Sequence, residues 1–377
     1  MAEALATGAR TVNTWGLRSG VKTCIKAKRP VMIWGPAGVG KSDVISDLCE
    51  EMDGVLFDIR LSLLEPTDLR GIPYYNKDSG KMDWAPPVDL PDAETASKYK
   101  IVFVFFDEIN SAAPSVQAAC YQLALNRRVG QYRLPDNAVI VMAGNREGDR
   151  GVTYRMPAPL ANRLVHLELR ADFDPWHEWA IKNKIHSDVV GFLNFSKNSL
   201  YDFDPKSNSK AFATPRTWEF VSDLLKDEEC AEATFADLTS GTVGEGLALK
   251  FMGHRKISAD LPRPMDVMMG KVKELKNNKE ISIQYSLSIS CCYELADLLE
   301  KEGWKKGKTT SDDWQKLADT FLGFIMKNFQ TEVVVMAMRL VLKTYELPCS
   351  PKKMSNYDEF YKKFGKFVLQ ASKNVTD

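Results

Sequence analysis

Eight consecutive residues, Gly35-Pro36-Ala37-Gly38-Val39-Gly40-Lys41-Ser42, bring together the groups that phosphate chemistry needs. Glycines let backbone N–H groups turn inward around anionic oxygens, and a following helix adds the positive end of its dipole. Lys41 supplies a point charge for β- and γ-phosphates, and the Ser42 hydroxyl is a ligand for Mg²⁺. The octet follows the apolar run Pro30-Val31-Met32-Ile33-Trp34 and precedes a helical pattern. Strand, glycine loop and helix start are the setting in which this spacing wraps a nucleoside triphosphate. ATP or GTP is the expected ligand.

Two acids close a second apolar run, Ile101-Val-Phe-Val-Phe-Phe106-Asp107-Glu108. A buried strand delivers its last residues to the carboxyl edge of a sheet, so Asp107 is expected beside the glycine loop, holding Mg²⁺ through water. Glu108 would then polarise the water that attacks the γ-phosphate; the plainer alternative is that the pair caps the next helix. A third run, Val139-Ile-Val-Met-Ala-Gly144-Asn145, ends on an amide at the same edge. Asn145 has the chemistry to orient water or the γ-phosphate, though Asn-Arg-Glu-Gly is also good turn sequence.

These residues need a scaffold that brings several strand ends to one edge. The strand candidates are Val31–Trp34, Val55–Ile59, Ile101–Phe106, Val139–Ala143 and Leu164–Leu169, and helical patterns separate them. Near-continuous apolar strands between helices predict a parallel sheet covered on both faces, a doubly wound α/β core. The alternation fails between 61 and 91, where Ile72–Tyr75 and Lys81–Trp84 flank turn-forming Asn76-Lys-Asp-Ser-Gly80, the signature of an inserted hairpin. A second short hairpin is expected around Arg128–Arg133. After residue 171 the strand signal fades. Helical spacing appears at Trp176–Ala180, Trp218–Leu225 and Glu245–Met252, and beyond Leu261-Pro-Arg-Pro264 at Ile281–Lys301, Trp314–Phe329 and Glu332–Tyr345.

Composition narrows the function classes. Fifty basic residues balance fifty acidic ones in 377, so the whole molecule has no bias toward nucleic acid or membrane. Met1-Ala-Glu-Ala-Leu5 lacks the features of a signal peptide, and Val333–Leu342, the longest apolar candidate, is broken by Arg339 and falls short of the ~18 residues a membrane span needs. Seven cysteines without a C-x-x-C pair and four scattered histidines argue for reduced thiols, a cytoplasmic setting and no structural metal. The tail Lys352-Lys353 and Tyr361-Lys-Lys-Phe-Gly-Lys-Phe367 reads as an amphipathic helix, with single-stranded nucleic acid as the alternative.

The order of glycine loop, Asp107-Glu108, Asn145, Pro157-Ala-Pro-Leu-Ala-Asn-Arg163-Leu and Ala213-Thr-Pro-Arg216-Thr-Trp resembles the AAA+ ATPases. The hairpin insertion with Thr67-Asp-Leu-Arg-Gly71 resembles their MoxR branch, the helix-2-insert clade. The resemblance covers about residues 10–255 and implies an α/β P-loop core over 1–170 and a helical lid over 171–260, followed by an unmatched helical region, 261–377. It implies roles for Asn145 as sensor 1, Arg163 as a finger reaching the neighbouring subunit's γ-phosphate, and Arg216 as sensor 2; Arg155 competes with Arg163. ATP and Mg²⁺ are the implied cofactors. Also implied are a ring, expected to be a hexamer, and chaperone-like work on a protein client, often with a partner bearing a von Willebrand factor A domain. Relatives with the same insertion act on DNA, so a nucleic-acid motor with Lys77, Lys81, Arg127, Arg128 and Arg133 around a pore stays open. A nucleotide-gated switch with little turnover is a third reading, against which Glu108 argues.

Overall fold

The structure, a computed structural model, describes residues 9–146, 148–149, 154–227, 229–259, 261–275, 280–302, 310–349 and 351–370. The expectation at Met1–Leu5 lies outside them. The chain divides into two compact units: Met1–Pro175 with Phe203–Asn208 and Thr214–Arg216, and Trp176–Asp202 with Ser209–Ala213 and Thr217–Asp377.

The first unit begins with β1 (Arg10–Val12), α1 (Thr14–Lys26), β2 (Val31–Trp34), α2 (Lys41–Glu51), β3 (Val55–Arg60) and α3 (Pro66–Arg70). It continues through β4 (Ile72–Asn76), β5 (Lys81–Ala85), α4 (Ala93–Ser97), β6 (Val102–Asp107), α5 (Pro114–Asn126), β7 (Arg128–Val129) and β8 (Tyr132–Arg133). It closes with β9 (Ala138–Gly144), α6 (Ala158–Ala161) and β10 (Val165–Leu169). Among the described residues six strands form one parallel sheet in the order β1-β10-β2-β9-β6-β3. Parallel strands carry helices on both faces, which is why Val102 to Phe106 are completely buried despite alternating direction.

β1 is absent from the sequence reading. Only three residues long and largely exposed, it has no apolar periodicity to betray it, and only its pairing of Arg10, Thr11 and Val12 with Leu167, Glu168 and Leu169 defines it. The two hairpins stand outside the sheet as separate antiparallel pairs, β4 with β5 and β7 with β8. Asn76 builds the first turn by accepting Asp78 and Ser79 N–H on its side-chain oxygen, and Gly80 takes φ +64°.

The second unit is helical throughout its described elements. It contains most of α7 (Phe173–Lys182), then α8 (Ser187–Phe195), most of α9 (Pro215–Leu225), α10 (Glu232–Val243), α11 (Glu245–Ala259), α12 (Pro264–Met268) and α13 (Ile281–Lys301). α14 (Asp312–Asn328), α15 (Thr331–Arg339) and α16 (Ser355–Gln370) complete it, and a π-helical turn, Leu340–Thr344, interrupts the helix expected to reach Tyr345. Phe192, Trp218 and Phe251 form an aromatic cluster with centroids 5.4–5.6 Å apart. α8 approaches α13 through Gly191, where a Cβ would lie 2.9 Å from Ser286 Oγ. In the basic tail Lys353 pairs with Asp312 at 2.6 Å, Lys363 with Glu359 at 2.5 Å, and Phe360 is buried. That is amphipathic-helix behaviour.

Candidate functional site

Sheet order decides what meets at the carboxyl edge. β9 lies between β2 and β6, so Asn145, just past β9, falls between the glycine loop that leaves β2 and the acids that end β6. The glycines are required by space and by backbone. A Cβ at Gly35 would stand 2.8 Å from Leu169 O, and one at Gly38 would stand 2.6 Å from Thr214 Oγ1. Gly38 and Gly40 adopt φ +74° and +87°, the left-handed region that side chains disfavour. Gly40 O accepts Val44 N–H at 3.1 Å, so α2 begins with its free N–H groups aimed into the loop.

Lys41 is buried, its ammonium donating to Gly35 O (2.7 Å), Pro36 O (3.0 Å) and Asn145 Oδ1 (3.2 Å). Burial pushes its pKa down to about 8, against the opposing pull of Asp107, Asp149 and Glu108, while Arg216 adds to the lowering. Ser42 Oγ donates to Asp107 Oδ2 at 3.0 Å, and the other Asp107 oxygen accepts Glu108 N–H at 2.7 Å. The hydroxyl and the carboxylate are hard oxygen donors side by side, a set that suits Mg²⁺. Glu108 sits at φ +55°, and this turn out of the strand directs its carboxylate to the Ser62 hydroxyl, with Arg60 Nε at 3.9 Å. Neither Ser62 nor Arg60 stood out in the sequence, because nothing local marks a residue that reaches the site through the adjacent strand β3.

Three of the sequence-selected groups, Lys41, Asp107 and Asn145, are thus drawn together, with Ser42 and Glu108 attached to them. Arg216 joins them from far along the chain: its N–H donates to Gly38 O at 3.4 Å, beside buried Thr214. Arg163 and Arg155 are exposed, in the segments that follow and precede α6. α6 is tied to β2 by His166, whose Nδ1 accepts Trp34 Nε1–H at 2.9 Å and whose Nε2 lies 2.7 Å from Ala161 O, which assigns the hydrogen to Nε2.

Sequence reasoning also missed buried charge beside Asn145. Arg146 grips Asp149 through two bonds of 3.0 and 3.1 Å and lies 3.6 Å from Glu168 on β10. It missed Asn110 as well, which the turn-rich context after Asp107-Glu108 disguised. In the hairpins, Arg127 donates to Pro135 O and Ala138 O, closing the end of α5 with φ +55°. Lys77, Lys81, Arg128 and Arg133 are exposed, as are apolar Ile72, Tyr74, Tyr75 and Met82.

No protein-family model matches the chain, and no curated protein matches its sequence. Among solved structures it is similar to a point variant of RuvB from Thermotoga maritima, at 13% identity and TM-score 0.37 over 84% of this chain and 88% of that one. It is also similar to NtrX from Brucella abortus in complex with ADP, at 14% identity and TM-score 0.38 over 81% of this chain and 67% of that one. Likeness this distant leaves function to be argued from the site itself.

Proposed function

We propose that this chain is an AAA+ ATPase of the MoxR-like kind, hydrolysing ATP in a ring, expected to be hexameric, to remodel a protein partner. The observation that carries the reading is the contact of Ser42 with Asp107 at the mouth of a glycine loop whose lysine also touches Asn145. Inward-turned N–H groups and Lys41 bind the β- and γ-phosphates of ATP. Ser42 and Asp107 are the residues that would hold Mg²⁺, which supplies charge neutralisation across the phosphates when bound. Glu108 accepts a proton from the attacking water, Asn145 orients that water or the γ-phosphate, and Arg216 reaches the nucleotide from Thr214–Arg216.

The trans finger is Arg163, with Arg155 as its rival; both are exposed and so accessible to a neighbouring subunit. A lid role for residues 171–260 and a cytoplasmic setting belong to the same reading. The setting has support in seven free cysteines and in the lack, among the described residues, of any helix long and apolar enough to cross a membrane. A protein client rather than nucleic acid is favoured by the hairpins themselves: exposed Ile72, Tyr74, Tyr75 and Met82 offer apolar contact, while Arg127 is committed to backbone carbonyls and not to a basic pore. A partner with a von Willebrand factor A domain is the family-based candidate.

The test is steady-state ATP hydrolysis by wild type and Glu108→Gln. Losing a general base costs roughly 10²–10⁴ in rate, so the variant should bind ATP with near-normal affinity and turn over slowly. Equal rates would refute Glu108 as the base, and no wild-type turnover would leave only the switch reading.

A further inference from the structure

A strand that ends at a sheet edge leaves its last N–H and C=O groups without a ladder partner, and buried ones must find another. At Asn145 both are met by one side chain. Asn110 Nδ2 donates to Asn145 O at 2.8 Å, and Asn110 Oδ1 accepts Asn145 N–H at 3.0 Å. Asn110 is 1% exposed and belongs to the 3₁₀ turn Ile109–Ser111 that directly follows Asp107-Glu108. Its carboxamide fills the place a side chain at 144 would take, since a Cβ there would lie 2.6 Å from Oδ1. Its own carbonyl accepts Tyr154 N–H at 2.6 Å, one residue before Arg155.

Resting on the ATPase reading above, we propose that Asn110 is a positioning residue that locks Asn145 to the Asp107-Glu108 turn and passes its position to the Tyr154-Arg155 segment. A carboxamide is the chemistry the place demands. Aspartate has the shape but no donor for Asn145 O, leucine has neither group, and glutamine is a methylene too long. Asn145 in turn sets its side-chain oxygen on Lys41, so the amide, the acids and the lysine keep their spacing through one buried contact. Misplacing a catalytic group by about 1 Å costs on the order of 10²-fold in rate without removing any binding group.

The experiment compares full-length wild type, Asn110→Asp and Gly144→Ala, the last leaving Asn110 chemically intact while crowding its carboxamide. Expected in both variants, at temperatures well below their lowered thermal midpoints, are a kcat about 10- to 100-fold lower and an ATP Kd within about three-fold of wild type. Deuterium uptake should rise in the peptide containing Asn145, and ATP should protect the peptide that spans the Tyr154 amide in wild type but not in Asn110→Asp. Unchanged kcat in both variants, ATP affinity lost in proportion to kcat, or equal ATP protection at Tyr154 in wild type and variant would each overturn the inference while leaving the ATPase reading standing. Absence of turnover in wild type would overturn both.

Discussion

At the scale of single residues, the site sets a buried cation near two acids with different partners, Asp107 accepting from Ser42 and Glu108 from Ser62. A lysine ordinarily stays protonated to pH 10.5, but burial brings the pKa of Lys41 down to about 8. The depressed value means that the buried ammonium costs the nucleotide-free fold stability below about pH 8, a cost relieved as pH rises between 8 and 10.5. Phosphate binding has the opposite preference, because it needs the charged form. ATP affinity should therefore fall as pH climbs through about 8, by up to about tenfold per unit, whereas Lys41→Arg should show a flat profile; titrations between about pH 7 and 9.5 measure this. Ser62 gives a second expectation. Its hydroxyl occupies an oxygen of Glu108, so removing a hydrogen bond worth about 1 kcal/mol in Ser62→Ala should raise basal kcat roughly fivefold with ATP affinity unchanged.

Whole elements hold these residues in register. The end of β2 carries the glycine loop, and its Trp34 also anchors α6 through the imidazole of His166, stacked at 6.1 Å. Replacing His166 with phenylalanine keeps the stack but leaves the indole N–H of Trp34 without its acceptor and takes one of two donors from Ala161 O, which Leu164 N–H still reaches at 3.3 Å; an unpaired group costs about 1–3 kcal/mol when buried. These groups are partly exposed, so the lower end applies. His166→Phe should lower the thermal midpoint by several degrees and reduce ATP turnover more than ATP binding, because α6 positions the finger candidates. A drop in binding equal to the drop in turnover would place the damage in the glycine loop instead. The helical spacing of α13 and α14 was plain in the sequence, as were the β2, β3, β6, β9 and β10 strands. β1, α8 and α10 were not, because short or evenly apolar segments carry no distinguishing period.

At the scale of the whole molecule, the proposed ring makes each active site a joint product of two subunits. Arg163→Ala subunits keep an intact glycine loop, and Lys41→Ala subunits keep an intact finger. Mixed, they should recover a measurable share of ATPase activity that neither has alone, since a guanidinium acting across an interface is worth about 10³–10⁵ in rate. No recovery in rings shown to contain both chains would move the finger to the same subunit or to Arg155, which the parallel experiment with Arg155→Ala decides.

Residue types and spacing determined the local structure: Gly35 to Ser42 as a glycine loop between a strand and a helix, Asp107-Glu108 at a strand end, Asn145 at another. Those follow from short-range rules of turn, strand and helix that a short run of residues can carry. Which of them meet was a matter of strand order, and β9 had to lie between β2 and β6 for Asn145 to touch Lys41. Ser62, Thr214 and Asn110 acquire their importance only there, because hydrogen bonds that span 35 or 46 residues of sequence, as those of Asn110 and Ser62 do, leave no periodic trace. The tertiary fold alone decides which polar groups are sealed from water and must pair.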